Sequence, residues 1–116
     1  MAKVVDKELI HEYIICELVI KTLEIDIVRI ESLKSKMVLE KIYNKALDMA
    51  RTNMKGILDN MRRTGLKLLV VKKDDEFFST YTVTQYGLTI DITYSHHALR
   101  NHTMNEIEKL INVKNS

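Results

Sequence analysis

No proline occurs in this chain of 116 residues, and its only glycines are Gly56, Gly65 and Gly87. Because proline and glycine most often interrupt helices and strands, their scarcity predicts long regular elements joined by few irregular loops. The sequence contains no internal repeat, no low-complexity segment and no linker of the kind that separates domains. We therefore expect a single domain over residues 1–116, with one modest hydrophobic core.

Residues 6–31 are predicted to form a helix. Asp6 is placed to cap its first turn, and Val5 and Ile10 occupy the two positions of a hydrophobic staple. Seven apolar or half-polar residues follow alternating steps of four and three, which is the spacing of a heptad seam. These residues, called the seam below, are Leu9, Tyr13, Cys16, Ile20, Leu23, Ile27 and Ile30.

Further apolar residues lie beside the seam, at Ile10, Ile14, Leu18, Ile25 and Val28. A helix with two apolar faces needs two covers, and one short chain is expected to supply only one of them. The seam is therefore the candidate interface of a homo-oligomer, with a dimer as the expected symmetry. For part of this segment the alternative is a strand over residues 23–27, where apolar and acidic residues alternate.

Residues 36–63 are predicted to form a second helix, because they are rich in good helix formers. Arg62 and Arg63 fall in its last turn, where cations suit the helix dipole, and Gly65 is placed to end it. The connecting residues 31–36 contain neither glycine nor proline. They are expected to form a tight antiparallel turn, with one continuous helix over residues 6–63 as the alternative.

After Gly65 the apolar period changes from that of a helix to that of strands. The three predicted strands are residues 66–73, 77–84 and 88–95. Polar residues separate them, so they are expected to form an antiparallel meander with one wet face and one buried face. A last helix is predicted from a capping-box pattern that begins at Thr103, or alternatively from an earlier start at Ser95. The predicted fold is α+β, with elements in the order ααβββα.

Few residues of the sequence form patterns that are typical of catalytic, metal-binding or cofactor-binding sites. The single cysteine, Cys16, excludes an internal disulfide and a cysteine-based zinc site. His96, His97 and His102 are spaced so that a helix would point them in different directions, unlike converging metal ligands. No nucleophile elbow, phosphate loop, dinucleotide-binding fingerprint or zinc-protease motif is present. We therefore expect no enzyme activity, no cofactor and no metal site.

Charge is distributed unevenly along the chain. The net charge is only +2, but residues 32–73 hold eleven basic and three acidic side chains, whereas the segments on either side are acidic. Such a basic segment either attracts a polyanion or packs against acidic surface of the same protein. Nucleic-acid binding is therefore an alternative function, carried by Lys41, Lys45, Arg51, Lys55, Arg62, Arg63 and Lys67.

Parts of the second half of the chain resemble small uncharacterised proteins of prophages in Gram-positive bacteria. The resemblance is carried by residues 61–67, by Tyr81, by Tyr86 and Gly87, and by residues 98–100 and 106–111. It implies a bacterial cytosol and a phage origin, and it transfers no functional residue because those proteins have no assigned activity.

These observations together predict a small, non-catalytic interaction or regulatory protein. Its expected partners are a second copy of itself, in a homodimer, and another protein. The chain has no stretch of apolar residues long enough to span a membrane and no signal-peptide core at its start. A cytoplasmic location without membrane attachment is therefore expected.

Overall fold

The structure, a computed structural model, describes residues 3–33 and 36–112. Its elements follow the order ααβββα, which confirms the predicted α+β fold. The helices are α1 (Lys7–Ile30), α2 (Lys36–Thr64) and α3 (His96–Asn112), and the strands are β1 (Lys67–Lys73), β2 (Phe78–Gln85) and β3 (Leu88–Ser95). Lys34 and Ser35 of the predicted turn, and both ends of the predicted 1–116 domain, lie outside the described residues.

Helix α1 begins where the sequence predicts. The side chain of Asp6 accepts a hydrogen bond of 3.0 Å from the backbone N–H of Leu9, and Val5 and Ile10 are both buried beside it. The helix continues unbroken to Ile30, so the alternative of a strand over residues 23–27 is wrong. A turn follows directly at residues 31–33, so the alternative of one continuous helix over residues 6–63 is also wrong.

Helix α2 ends in a Schellman motif built around Gly65. The backbone N–H of Leu66 donates to the carbonyl of Met61 at 2.9 Å, and that of Gly65 donates to the carbonyl of Arg62 at 3.3 Å. Gly65 has a φ of +71°, in the left-handed region that glycine adopts without strain. Met61 and Leu66 are both buried, so the motif turns the chain from α2 into the sheet over a closed apolar contact.

The sheet is an antiparallel meander with the strand order β1-β2-β3. One face carries Val83, Ile90 and Ile92, which are buried in the core or packed against it, and the other carries threonines and Asp91. The predicted division into a wet face and a buried face is thus confirmed. A bulge interrupts the pairing of β1 with β2 between Leu68 and Val70.

Helix α3 starts at the earlier of the two predicted positions. Ser95 Oγ accepts a hydrogen bond of 3.2 Å from the backbone N–H of Ala98 and so caps the first turn. The capping box predicted at Thr103 is wrong, because Thr103 lies within the helix and donates its hydroxyl hydrogen bond to the carbonyl of Leu99. The hydroxyl therefore bonds back to the preceding turn of the same helix.

Helix α1 is the central element of the fold. It packs against α2 and against α3, and residues of the sheet join the same core cluster. The N-terminus of α1 is tied to the sheet by Gln85, whose Oε1 accepts from the backbone N–H of Asp6 at 2.7 Å. None of the helices in the described part of the chain is long and apolar enough to cross a membrane.

Candidate interaction surfaces and clefts

The seam of α1 faces α2 of the same chain. Leu9, Leu23 and Ile30 are buried, and the other four seam residues are half-buried. The Cys16 thiol donates to the carbonyl of Ala50 on α2 at 3.3 Å. Burial also raises the pKa of the Cys16 thiol above its ordinary value, which disfavours the reactive thiolate. Much of the seam is thus covered within one chain, and the large apolar side chains of α1 that stay exposed lie on another part of the helix.

The opposite face of α1 packs on the sheet only along part of its length. Ile10 and Ile14 lie on this face and are 0% and 2% exposed. Ile25 and Val28 come eleven and fourteen residues after Ile14, which is close to three and four full turns of a helix. They therefore lie on the same side of α1 as Ile14. They are 53% and 67% exposed. The apolar face of α1 therefore continues past the sheet that covers its first half.

Element lengths explain why this happens. A helix of 24 residues is about 36 Å long, since each residue adds about 1.5 Å. A strand of eight residues spans only about 27 Å, and three strands side by side are about 14 Å wide. The sheet cannot cover the whole helix in either direction. This comparison of lengths is a sequence signal that part of α1 must stay uncovered, but it does not tell which end.

Exposed large apolar side chains also follow one another along the chain from the end of α1 to the start of α2, and this set is called the hairpin tip below. All of its residues are exposed large apolar side chains at the turn between the two helices, and they are Ile25, Val28, Leu33, Met37 and Val38. The described charged residues beside them carry both signs. They are Asp26, Arg29, Glu31, Glu40 and Lys41.

The basic residues of the nucleic-acid hypothesis are all exposed, and six of the seven lie on α2. Part of the charge is already paired: Arg51 lies 3.0 Å from Glu24, and Arg62 lies 3.1 Å from Asp59. Lys41, Lys45 and Lys55 share the solvent-facing side of α2, away from the buried Ala46 and Ala50. Lys67 is exposed on β1, after the end of the helix.

The histidines do not form one cluster. His102 joins His11, a residue that the sequence analysis did not single out, through a hydrogen bond of 2.9 Å between Nδ1 of His102 and Nε2 of His11. The His11 ring also stacks on Tyr94 with ring centroids 5.7 Å apart. Burial and the nearby His102 lower the pKa of His11, while Glu12 opposes this shift. The packing of α3 against α1 brings these residues together although they are far apart in sequence.

A cleft of about 550 Å³ opens beside the His11–His102 pair, between α1, α2 and α3. Its floor is apolar and includes Ile15, Val19 and Ala50. At its rim Lys109 Nζ lies 3.0 Å from a carboxylate oxygen of Glu106. In the described part of the chain, no group of three or more His, Cys, Asp or Glu side chains is arranged to hold a metal ion.

His96 takes part in a different arrangement at the start of α3. Its Nδ1 lies 2.8 Å from the carbonyl oxygen of Glu76, and its Nε2 lies 2.7 Å from Ser79 Oγ. Since a carbonyl only accepts, Nδ1 donates to it and Nε2 accepts from the serine hydroxyl. This is the bonding order of an activated serine, but Ser79 is only 8% exposed, which keeps a substrate from its hydroxyl. The contact holds α3 against the turn between β1 and β2.

The model of a family described as YhjD protein matches residues 1–115 of the chain. No curated protein and no solved structure matches it.

Proposed function

We propose that this chain, which belongs to the YhjD protein family, is a non-catalytic interaction protein that associates as a homodimer through its hairpin tip. The observation that supports this proposal is the exposure of Ile25 and Val28 on a helix face that is fully buried at Ile10 and Ile14. Large apolar side chains that form a patch rimmed by polar groups are typical of protein–protein interfaces. The cytosol is the proposed location, since the single cysteine forms no internal disulfide.

A second copy of the chain is the occupant that fits the charges around the tip. A twofold interface brings the same surface of both copies together, so it must be complementary to itself. Asp26 and Arg29 stand beside each other on α1, and Glu40 and Lys41 do so on α2. Rotation of one copy by a half-turn can place acids of one rim against bases of the other. The tip is small, so we propose a reversible dimer rather than an obligate one.

Light scattering after size-exclusion chromatography tests this proposal. The parent protein is expected to rise from the 13.5 kDa of one chain towards twice that mass as its concentration increases over about two decades around the micromolar range. Val28→Lys and Ile25→Lys place a charge in the proposed contact and should keep the mass at that of one chain. Because both side chains are exposed, the circular dichroism of the variants should match that of the parent.

Val4→Lys is the matched control. Val4 is 70% exposed, close to the value for Val28, but it precedes α1 and lies at the opposite end of that helix from the tip. This variant should associate like the parent. The proposal fails if the parent keeps the mass of one chain at every concentration, or if Val4→Lys reduces association as much as Val28→Lys does.

A second candidate function is nucleic-acid binding by the solvent face of α2. The observation that favours it is that Lys41, Lys45 and Lys55 are exposed on one side of a long helix and form no ion pair within the described residues. Fluorescence anisotropy with a labelled duplex and a labelled single strand at low salt tests it. Three phosphate contacts predict a slope of about −3 for log affinity against log salt with a duplex. No binding to either probe would exclude this candidate.

A further inference from the structure

The outer edge of the sheet at β1 is open and apolar. β1 is an outer strand in the order β1-β2-β3, and Leu69, Val70 and Val71 are each about half exposed. Proteins normally blunt such an edge, because a row of unpaired backbone groups invites another strand to pair with it. The bulge at Leu69 disturbs only the first half of the strand, and in the second half, where Val70 to Lys73 pair regularly with β2, Lys72 and Lys73 discourage pairing with a like-charged strand.

The hydrogen bonds of the sheet show which backbone groups face outward. The backbone N–H of Asp74 donates to the carbonyl of Phe78 at 3.0 Å, so Asp74, Lys72 and Val70 are the residues that bond inward to β2. In an antiparallel pair, alternate residues bond to the partner strand. Val71 and Lys73 therefore direct their N–H and C=O groups away from the sheet, towards solvent.

The charge of the edge has a single sign. Lys67, Lys72 and Lys73 are exposed, β1 contains no acidic residue, and none of these lysines forms an ion pair within the described residues. Three acids follow β1, of which Asp74 and Asp75 accept hydrogen bonds and Glu76 is exposed. Asp74 accepts from the Thr80 hydroxyl at 2.5 Å, and Asp75 accepts from the backbone N–H groups of Phe77 and Phe78.

We propose that the β1 edge is a docking site for an extended peptide segment with an apolar centre and acidic ends, which adds to the sheet as a fourth strand. The backbone groups of Val71 and Lys73 would bond to the added strand, its apolar residues would cover Leu69 and Val71, and its acidic ends would meet the lysines. A second copy of the chain fits this edge poorly. Two β1 strands side by side would gather six lysines and no acid from the strands themselves.

Fluorescence anisotropy with a capped, fluorescein-labelled peptide of the sequence Glu-Glu-Val-Ile-Val-Glu-Glu tests the site. The peptide is expected to bind, with an affinity that falls as salt is raised because opposite charges attract it. The peptide Lys-Lys-Val-Ile-Val-Lys-Lys should bind at least about tenfold more weakly. A version of the acidic peptide with N-methyl groups on every residue should also lose about tenfold or more, because it cannot donate along either edge.

Two variants of the protein locate the binding. Val71→Pro removes an outward N–H and no bond to β2, so the fold should survive while peptide affinity falls about tenfold or more. Lys72→Glu combined with Lys73→Glu reverses two exposed charges and should transfer the preference to the lysine peptide. Val4→Lys serves again as the control and should bind the acidic peptide like the parent protein. Circular dichroism and thermal unfolding establish that each variant is folded.

Three outcomes would overturn the inference. The first is no binding of the acidic peptide to the folded parent protein, and the second is equal binding of the acidic peptide by a folded Val71→Pro variant. The third is binding of a polyuridine single strand that Val71→Pro leaves unchanged and that the acidic peptide cannot compete with, which would assign the lysines to nucleic acid. The hairpin tip is not involved, so a monomeric parent protein that binds the peptide would refute the proposed dimer and leave this site intact.

Discussion

His11 and His102 share a hydrogen bond of 2.9 Å between ring nitrogens although 91 positions separate them in the sequence. One ring is on α1 and the other is on α3, and the His11 ring stacks on Tyr94 of β3. The bond needs one donor nitrogen and one acceptor nitrogen, so at least one of the two rings must be neutral. Protonation of both rings would replace the bond by repulsion at the point where three elements meet.

We predict that the protein is less stable below neutral pH because of this pair. Burial, and then the charge of His102, lower the pKa of His11 in the folded state below its ordinary value of 6.5. The unfolded chain therefore binds the proton more readily than the folded one. The contribution of His11 to the free energy of unfolding is fully present above about pH 6.5 and is lost as the pH falls through the lower pKa of the folded state.

Urea unfolding between about pH 5 and pH 8 measures this effect. His11→Gln has no titrating ring at this position and should show a weaker loss of stability towards pH 5 than the parent protein does. His97→Gln is the control, because His97 is exposed and, among the described residues, its ring bonds only to Asn101 of its own helix. If His11→Gln and the parent lose stability in parallel, the pair does not control the pH dependence.

Because α1 is central, the same leucine-to-alanine substitution should have very different effects on stability at a buried site of α1 and at an exposed site of α2. Leu23 is fully buried on α1, whereas Leu58 is exposed on α2. Leu23→Ala should lower the free energy of unfolding by about 2 to 5 kcal/mol, because it leaves a cavity in a packed core. Leu58→Ala should change it by less than about 1 kcal/mol. Chemical denaturation monitored by circular dichroism measures both, and similar losses would contradict the placement of α1 between two layers.

Gln85 is the polar side chain whose loss should matter most. It is 1% exposed, accepts from the backbone N–H of Asp6, and donates its amide to the carbonyl of Thr64 at 3.2 Å. Gln85→Leu would leave both backbone groups without a partner, at a cost of about 1 to 3 kcal/mol for each. These two hydrogen bonds, called the Gln85 clamp below, join the start of α1, the end of α2 and β2. The loss of stability should therefore appear as one cooperative shift of the thermal midpoint.

Gln85→Glu separates the two bonds of this clamp. A carboxylate can still accept from Asp6 but cannot donate to Thr64, and its burial as a charge is costly. A protonated carboxyl group regains a donor, so Gln85→Glu should gain stability as the pH falls. Its free energy of unfolding minus that of Gln85→Leu should therefore be larger at about pH 4 than at pH 7. Equal stability of Gln85→Leu and the parent protein would show that the clamp contributes nothing.

Two glycines should respond to alanine in opposite directions. Gly65 has a φ of +71°, so Gly65→Ala should cost about 1 to 2 kcal/mol through backbone strain alone, because nothing lies within 4 Å of the added Cβ. Gly56 lies within α2, and its added Cβ also meets nothing within 4 Å. Gly56→Ala should stabilise the protein by about 0.5 to 1 kcal/mol, since alanine favours the helix. Thermal unfolding of the two variants compares them directly.

Much of the fold could be predicted because it rests on interactions between residues close in sequence. The Asp6 cap joins residues three positions apart, and the Schellman motif at Gly65 spans six residues. The alternation of Thr89 to Tyr94 placed one face of β3 towards the core. Prediction was wrong at the Thr103 capping box, because the same pattern of residue types also fits the interior of a helix that begins earlier.

The heptad spacing of α1 correctly marked an apolar side of the helix, but it could not name what would cover that side. Sequence spacing fixes the angle of Leu23 around the helix axis, and the same angle serves a second chain or a second helix of the same chain equally well. The structure places α2 there. The candidate surface accordingly moved from Leu9, Leu23 and Ile30 to the exposed Ile25 and Val28.

The sequence by itself determined the helices, the strands, their order and the apolar side of each, because propensity, capping and periodicity act over a few neighbouring residues. Only the tertiary structure decided which apolar residues stay uncovered, because burial depends on how elements of unequal length overlap in space. A helix of 24 residues is longer than a sheet whose strands have seven or eight residues. The way in which α1 packs on the sheet decides that its uncovered part is the C-terminal end. The meeting of His11 with His102 has the same origin, since no local rule relates residues that far apart.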